Sequence, residues 1–357
     1  MNAPMIVVAI AAGLLHSMIV GAQPSAVACS ATATSITPAS YRIAAQSEQV
    51  TPKGELTFVS EIPLPGSPNR FDYQSVDTTS GRIYMNHMNS GTTIVFDAVK
   101  GKVITEIPNV PRATGVWAVP AHHQVYISAA GSHEVVVIDD SAFKVVGRVG
   151  NIRFPDGIAY AAESDKVFVS DESGNAVVVI DAKTLAKRST IALGGEAGNT
   201  HYDAASHCIL VTVQTKNEWV AIDPVTERIV HRYELPGSDG PHGFALDEVG
   251  RLAFITSEGN AALQVVDLRT MKVVQTLKVA SGPDVLAWDA AWRRLYVASE
   301  SGAVSAFWLN GSTLRVNGVL HLAHAHTVSV DPRTHRVYLP LEDIKGKPVL
   351  QVYAPAK

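Results

Sequence analysis

Apolar residues run along this chain in short bursts such as "GIAYA", "KVFVS" and "AVVVID", each closed by a polar turn that carries Asp, Gly or Asn. Bursts of this length, rich in Val and Ile and bounded by turn residues, predict β-strands. The burst that ends in a turn residue recurs as "IVFD" at Asp97, "VVVID" at Asp139 and Asp181, "VAID" at Asp223, "QVVD" at Asp267, "FWLN" at Asn310 and "QVYA" at Ala354. The successive spacings are 42, 42, 42, 44, 43 and 44. Four short strands in a repeat of this length is the signature of a propeller blade. The expected fold class is therefore all-β, a seven-bladed β-propeller with four-stranded blades. The last unit stops after its third strand, while "ELTFVSEIPL" at 55–64 precedes the first unit and reads as a strand. Supplying it as the missing fourth strand would close the ring and leave no edge unpaired.

Alignment of the seven units brings Asp72, Thr114, Asp156, Gly198, His242, Asp284 and His326 to one position at the start of the innermost strand. Sixteen residues later come Met88, Ala130, Glu172, Gln214, Glu258, Glu300 and Glu342, which a hairpin returns to the same end. Four units thus place an acid or imidazole beside a glutamate: Asp156/Glu172, His242/Glu258, Asp284/Glu300 and His326/Glu342. Seven inner strands converge on the axis, so these groups form a collar at one mouth of a central channel. Deeper in the channel the expected lining is Ser75, Trp117, Ala159, His201, Ala245, Ala287 and Ser329, of which only Trp117 and His201 are bulky. The string "YMNHMN" puts His87 and Met88 at the collar mouth.

The strings "RVYLP", "KVFVS" and "RLYVAS", followed by "AVVVID" and "TMKVVQTL", resemble the YVTN-type, YncE-like β-propeller repeat family over residues 55–357. The resemblance implies the WD40/YVTN-like propeller fold. It leaves function open, because such propellers serve ligand binding, protein recognition and unrelated chemistries.

The N-terminus changes where the protein is expected to work. An apolar run from Met5 to Val20 followed by small residues ending at Ala22 reads as an export signal over 1–22. Residues 23–53, rich in Ala, Ser and Thr, read as a tether, with the propeller over 54–357 and a periplasmic or secreted location. Cys29 follows Ala26-Val27-Ala28 in a weak lipoprotein-like box, and with only Cys208 besides it no disulfide framework is expected. No second apolar run is long enough to span a bilayer. A formal charge of −4 argues against nucleic acid as a partner, leaving a small molecule or a protein, with the chain expected to be monomeric.

Neither a nucleophile motif nor a dinucleotide or haem-attachment motif occurs. The first expectation is accordingly a binding module acting through the channel mouth, with Trp117, His201, Asp72 and His87 as ligand contacts. The competing expectation is a metal-assisted lyase or lactonase-type hydrolase. There His242 or His326 would move protons, and Asp156, Glu172, Glu258, Asp284, Glu300 and Glu342 would surround the ion. Oxygen-rich ligands point to calcium, magnesium or manganese, and the imidazoles keep zinc or iron open. A site for a non-covalently held redox cofactor rests on resemblance alone. Against all of these stands turn chemistry, in which Pro-Asp-Gly and Pro-His-Gly merely supply positive φ and capping oxygens.

Overall fold

The computed structural model describes Cys29 and residues 56–356. The expected export signal, and all of the expected tether except Cys29, lie outside these residues. The described chain forms seven four-stranded antiparallel sheets, each made of strands consecutive in sequence except the last. Blades 1 to 6 span residues 74–107, 113–149, 155–192, 197–234, 241–278 and 283–321. Blade 7 joins 329–355 to the N-terminal strand Leu56–Pro63, which pairs antiparallel with Val349–Pro355. The chain is a seven-bladed β-propeller, and its ring is closed by a strand from the other end of the molecule.

The repeat strings have structural reasons. The aromatic of "RVYLP" and its counterparts, Tyr84, Tyr126, Phe168, Phe254, Tyr296 and Tyr338, are all at most 1% exposed and pack in the core clusters between sheets. The terminal Asp of the third strand ends it by accepting the backbone N–H two residues on, at Asp97, Asp139, Asp181, Asp223 and Asp267. An Asx-turn of this kind satisfies a donor that the outer hairpin would otherwise leave unpaired.

One expectation is overturned. Cys29 and Cys208 form a disulfide, so neither is free and Cys29 is not available as a lipid anchor. Cys208 lies fully buried at the start of the second strand of blade 4, in a core cluster with Leu210, Trp219 and Phe244 against which Cys29 packs. Two cysteines 179 positions apart carry no local pattern, which is why the pairing is invisible in the sequence. Among the described residues no helix is long and apolar enough to cross a membrane.

The bond should contribute modestly. In the unfolded chain it closes a loop of 179 residues, whereas in the folded state the ring already holds everything from Leu56 onward. Only the 27 positions from Cys29 to Leu56 then need closing. The difference in loop-closure entropy is worth about 2 kcal/mol. Cys29→Ser, or reduction, is expected to lower the unfolding free energy by about that amount in a denaturant titration, with the circular dichroism of the folded state unchanged.

Candidate functional site

The first-strand residues of the aligned units do converge. Asp72, Asp156, His242, Asp284 and His326 are each at least nine-tenths buried, and the four outside His326 border a cavity of about 460 Å³ at the axis. The main chain at four of the seven aligned positions, in blades 2 to 5, is held by the preceding blade. The Asn86 side-chain amide and the hydroxyls of Ser128 and Thr212 donate to the carbonyls of Thr114, Asp156 and His242 in the next blade. Ser170 does the same to Gly198. The glycines after Asp156 and His242 are there for close approach: a Cβ on Gly243 would sit 1.7 Å from the Asp284 carbonyl oxygen. Gly157 and Gly243 do not have positive φ, so the turn-chemistry account of Pro-Asp-Gly and Pro-His-Gly does not describe them.

His242 is the hub. Its Nδ1 lies 2.8 Å from Glu258 Oε1, and its Nε2 lies 3.1 Å from the Tyr73 hydroxyl, 3.5 Å from Asp156 Oδ2 and 3.9 Å from Asp284 Oδ1. Burial opposes charge on this ring, yet the hydrogen bond to Glu258 and the charges of Asp284, Glu258 and Asp156 push its pKa up to about 10. The acids divide. Burial raises Asp72 to about 6 and Asp156 to about 7, the latter helped by the charge of Asp72. Glu172 also rises to about 7, through burial and then Asp156. Burial acts on Asp284 in the same sense, but His326, His242 and Arg70 outweigh it and hold its pKa down to about 2.

His326 Nε2 lies 3.0 Å from Asp284 Oδ2, 3.9 Å from Asp72 Oδ1 and 2.8 Å from Arg70 Nη2. One ring nitrogen cannot accept a proton from Arg70 and donate one to Asp284 at the same time. Burial works against charge on His326, but the hydrogen bond and charge of Asp284, and then the charge of Asp72, outweigh it and raise its pKa, while Arg70 opposes them. Arg70 is nevertheless held, by Glu300 at 2.8 Å.

Not every expected pair forms. Glu342 pairs with His324 at 3.1 Å rather than with His326; His324 is half-exposed and has a left-handed backbone (φ 62°). His87 is fully buried, stacked on Phe71 with ring centroids 4.1 Å apart, and lines neither axial cavity. Trp117 and His201 meet edge to face at 6.2 Å, but they line a different cavity, at the opposite mouth.

Arg70 and Tyr73 were missed by sequence reasoning. Arg70, Arg112 and Phe154 stand two residues before the aligned Asp72, Thr114 and Asp156, and all three line the cavity. Extending the alignment upstream would have found them. Tyr73 occupies a position held elsewhere by Gly115, Gly157, Asn199, Gly243, Val285 and Thr327. It lines both axial cavities and so stands between them.

Among the described residues, two groups of side chains bring potential metal-ligating atoms within 4.8 Å of one another: Asp72, Asp284 and His326, and His242, Glu258 and Asp284. Asp284 belongs to both. Its Oδ1 and Asp156 Oδ2 are buried without a hydrogen bond, and each faces His242 Nε2.

No family model and no curated protein matches the chain. Among solved structures, a chain of Kuenenia stuttgartiensis hydrazine synthase is similar with a TM-score of 0.68 at 14% identity, over 81% of this chain and 96% of that one. A chain of a mitotic checkpoint complex is similar with a TM-score of 0.72 at 10% identity, over 90% of this chain and 99% of that one. At such identities the likeness shows the propeller fold alone.

Proposed function

We propose that the protein is an exported, YVTN-type binding propeller whose acidic axial mouth captures a divalent cation. The observation that carries the reading is the pair of buried carboxylate oxygens, Asp156 Oδ2 and Asp284 Oδ1, left without hydrogen bonds on either side of His242 Nε2. Buried polar atoms are normally paired; here the nearest cation to both oxygens is the His242 ring, at 3.5 and 3.9 Å and so beyond good hydrogen-bond distance, and an ion that displaced its proton would ligate them directly. Charge supports the same conclusion: six carboxylates border the cavity against Arg70, Arg112 and the His242 imidazolium. Each candidate ligand set contains one imidazole, whose proton a bound ion would displace, so manganese, zinc or ferrous iron suits it better than calcium or magnesium. Export is supported by the disulfide, which persists in oxidising compartments.

Protein purified without a histidine tag is expected to carry at least one stoichiometric divalent ion by plasma mass spectrometry, and chelation is expected to lower its melting temperature. Protein free of metal, with a melting curve indifferent to chelator and to added manganese or zinc, would refute the reading.

A metal-assisted hydrolase or lyase is favoured by one further contact, the Tyr73 hydroxyl on His242 at the floor of the cavity. That pair could move a proton beside a bound ion. Turnover of lactones by the metal-loaded protein, lost in Tyr73→Phe with metal content unchanged, would establish it.

A further inference from the structure

The opposite mouth of the channel opens into a second cavity, of about 480 Å³, with a different character. Trp117 of blade 2, Tyr160 of blade 3, Tyr202 of blade 4 and Trp288 of blade 6 contribute to its wall, and all four are partly exposed. No Lys or Arg lines it, and Glu248 of blade 5 is its one carboxylate. We propose that this second mouth binds a small quaternary or N-methylated ammonium ion, held against the faces of Trp117, Tyr160, Tyr202 and Trp288 with Glu248 as its counter-charge. The proposal is independent of the metal reading, since no residue of either candidate ligand set lines this cavity.

Aromatic faces carry negative potential and attract a desolvated cation, most strongly over indole. The hydroxyls of the two tyrosines are already engaged. Tyr160 donates its proton to Asp165 at 2.8 Å, and Tyr202 is hydrogen-bonded to Glu163. A primary ammonium would demand several acceptors, and the polar floor has few to offer. Gln74 already accepts from Ser329 and donates toward Thr327, and the Asn199 amide lies 3.4 Å from His201 Nε2. A methylated nitrogen needs no such acceptors. Burial lowers the His201 pKa to about 4, so its ring is neutral near pH 7 and does not repel a cation. Glu248 lies exposed at the rim; partial desolvation and the charge of Asp203 raise its pKa against the Ala204 N–H and Arg251, and an arriving positive charge acts in the same sense as Arg251.

The test is isothermal titration calorimetry of the full chain with choline and with its uncharged isostere 3,3-dimethylbutan-1-ol. Choline is expected to bind saturably, and the isostere at least tenfold more weakly. Glu248→Gln and Trp288→Leu should each weaken choline several-fold while the melting curve stays that of the parent protein. Equal binding of the two probes, no saturable choline binding, or affinity unmoved in both variants would overturn the proposal. If Trp288→Leu melts early, Trp117→Leu replaces it, with the same outcomes read.

Discussion

A chain that begins at Leu64 is expected to lose the cooperative folding of the whole ring, not of one blade. Leu56–Pro63 pairs along its length with Val349–Pro355, so its removal leaves that strand as an open edge. Main-chain hydrogen bonds are worth about 1 kcal/mol each net, so losing a strand's worth approaches ~5 kcal/mol. Domain stabilities are only about 5–15 kcal/mol. The strand's own side chains are mostly exposed, with Phe58 at 53%, and the loss therefore comes from pairing and closure rather than from core volume. Behind it, Leu350 and Val352 belong to a cluster shared with Phe71, Ile83 and Phe96 of the first blade, so opening the seam loosens the contact between blades 7 and 1. The truncated chain should elute as an aggregate or melt without a sharp transition. Cys29→Ser in the full-length chain separates this effect from loss of the disulfide. A truncated protein that melts within a few degrees of that control would show that the ring does not depend on the strand.

Asp284→Asn is expected to remove metal binding while sparing the fold. Asp284 is common to both candidate ligand sets, and one of its oxygens has no hydrogen bond. The amide keeps the shape of the carboxylate but loses its charge, so affinity should fall at least 100-fold. In thermal melts, ion at 100 times the parent dissociation constant stabilises the parent protein by about 2.7 kcal/mol. A 100-fold weaker variant gains only about 0.4 kcal/mol under the same conditions. The double variant His242→Ala, His326→Ala should behave likewise, since each set also loses its imidazole. If Asp284→Asn takes up manganese or zinc as the parent does, Asp284 is not a ligand and the collar is a self-contained charge network.

Much of this molecule was legible because its units are local. A blade is a run of hairpins, and the pattern of apolar burst, turn and Asx-forming aspartate is written within each repeat; counting it yields seven blades and a fourth strand taken from the N-terminus. The same periodicity placed Asp72, Asp156, His242, Asp284 and His326 at one level, since equivalent positions in a closed ring must meet at its axis. The departures from the repeat were harder to read. Arg70 reaches Glu300 across 230 positions, and Tyr73 reaches His242 across 169. Neither residue has a counterpart of the same kind in most other blades.

By itself, then, the sequence determined the fold, the ring closure and the set of groups gathered at the acidic mouth, because these follow from repeated short-range pattern and from symmetry. Only the tertiary structure decided which partner each group takes. Glu342 pairs with His324 instead of His326, Arg70 enters the collar beside Asp284, and Cys208 finds Cys29. It also decided that Trp117 and His201 belong to a separate aromatic mouth beyond Tyr73. Contacts between residues far apart in the chain depend on side-chain direction and packing at the axis, and no local pattern encodes them.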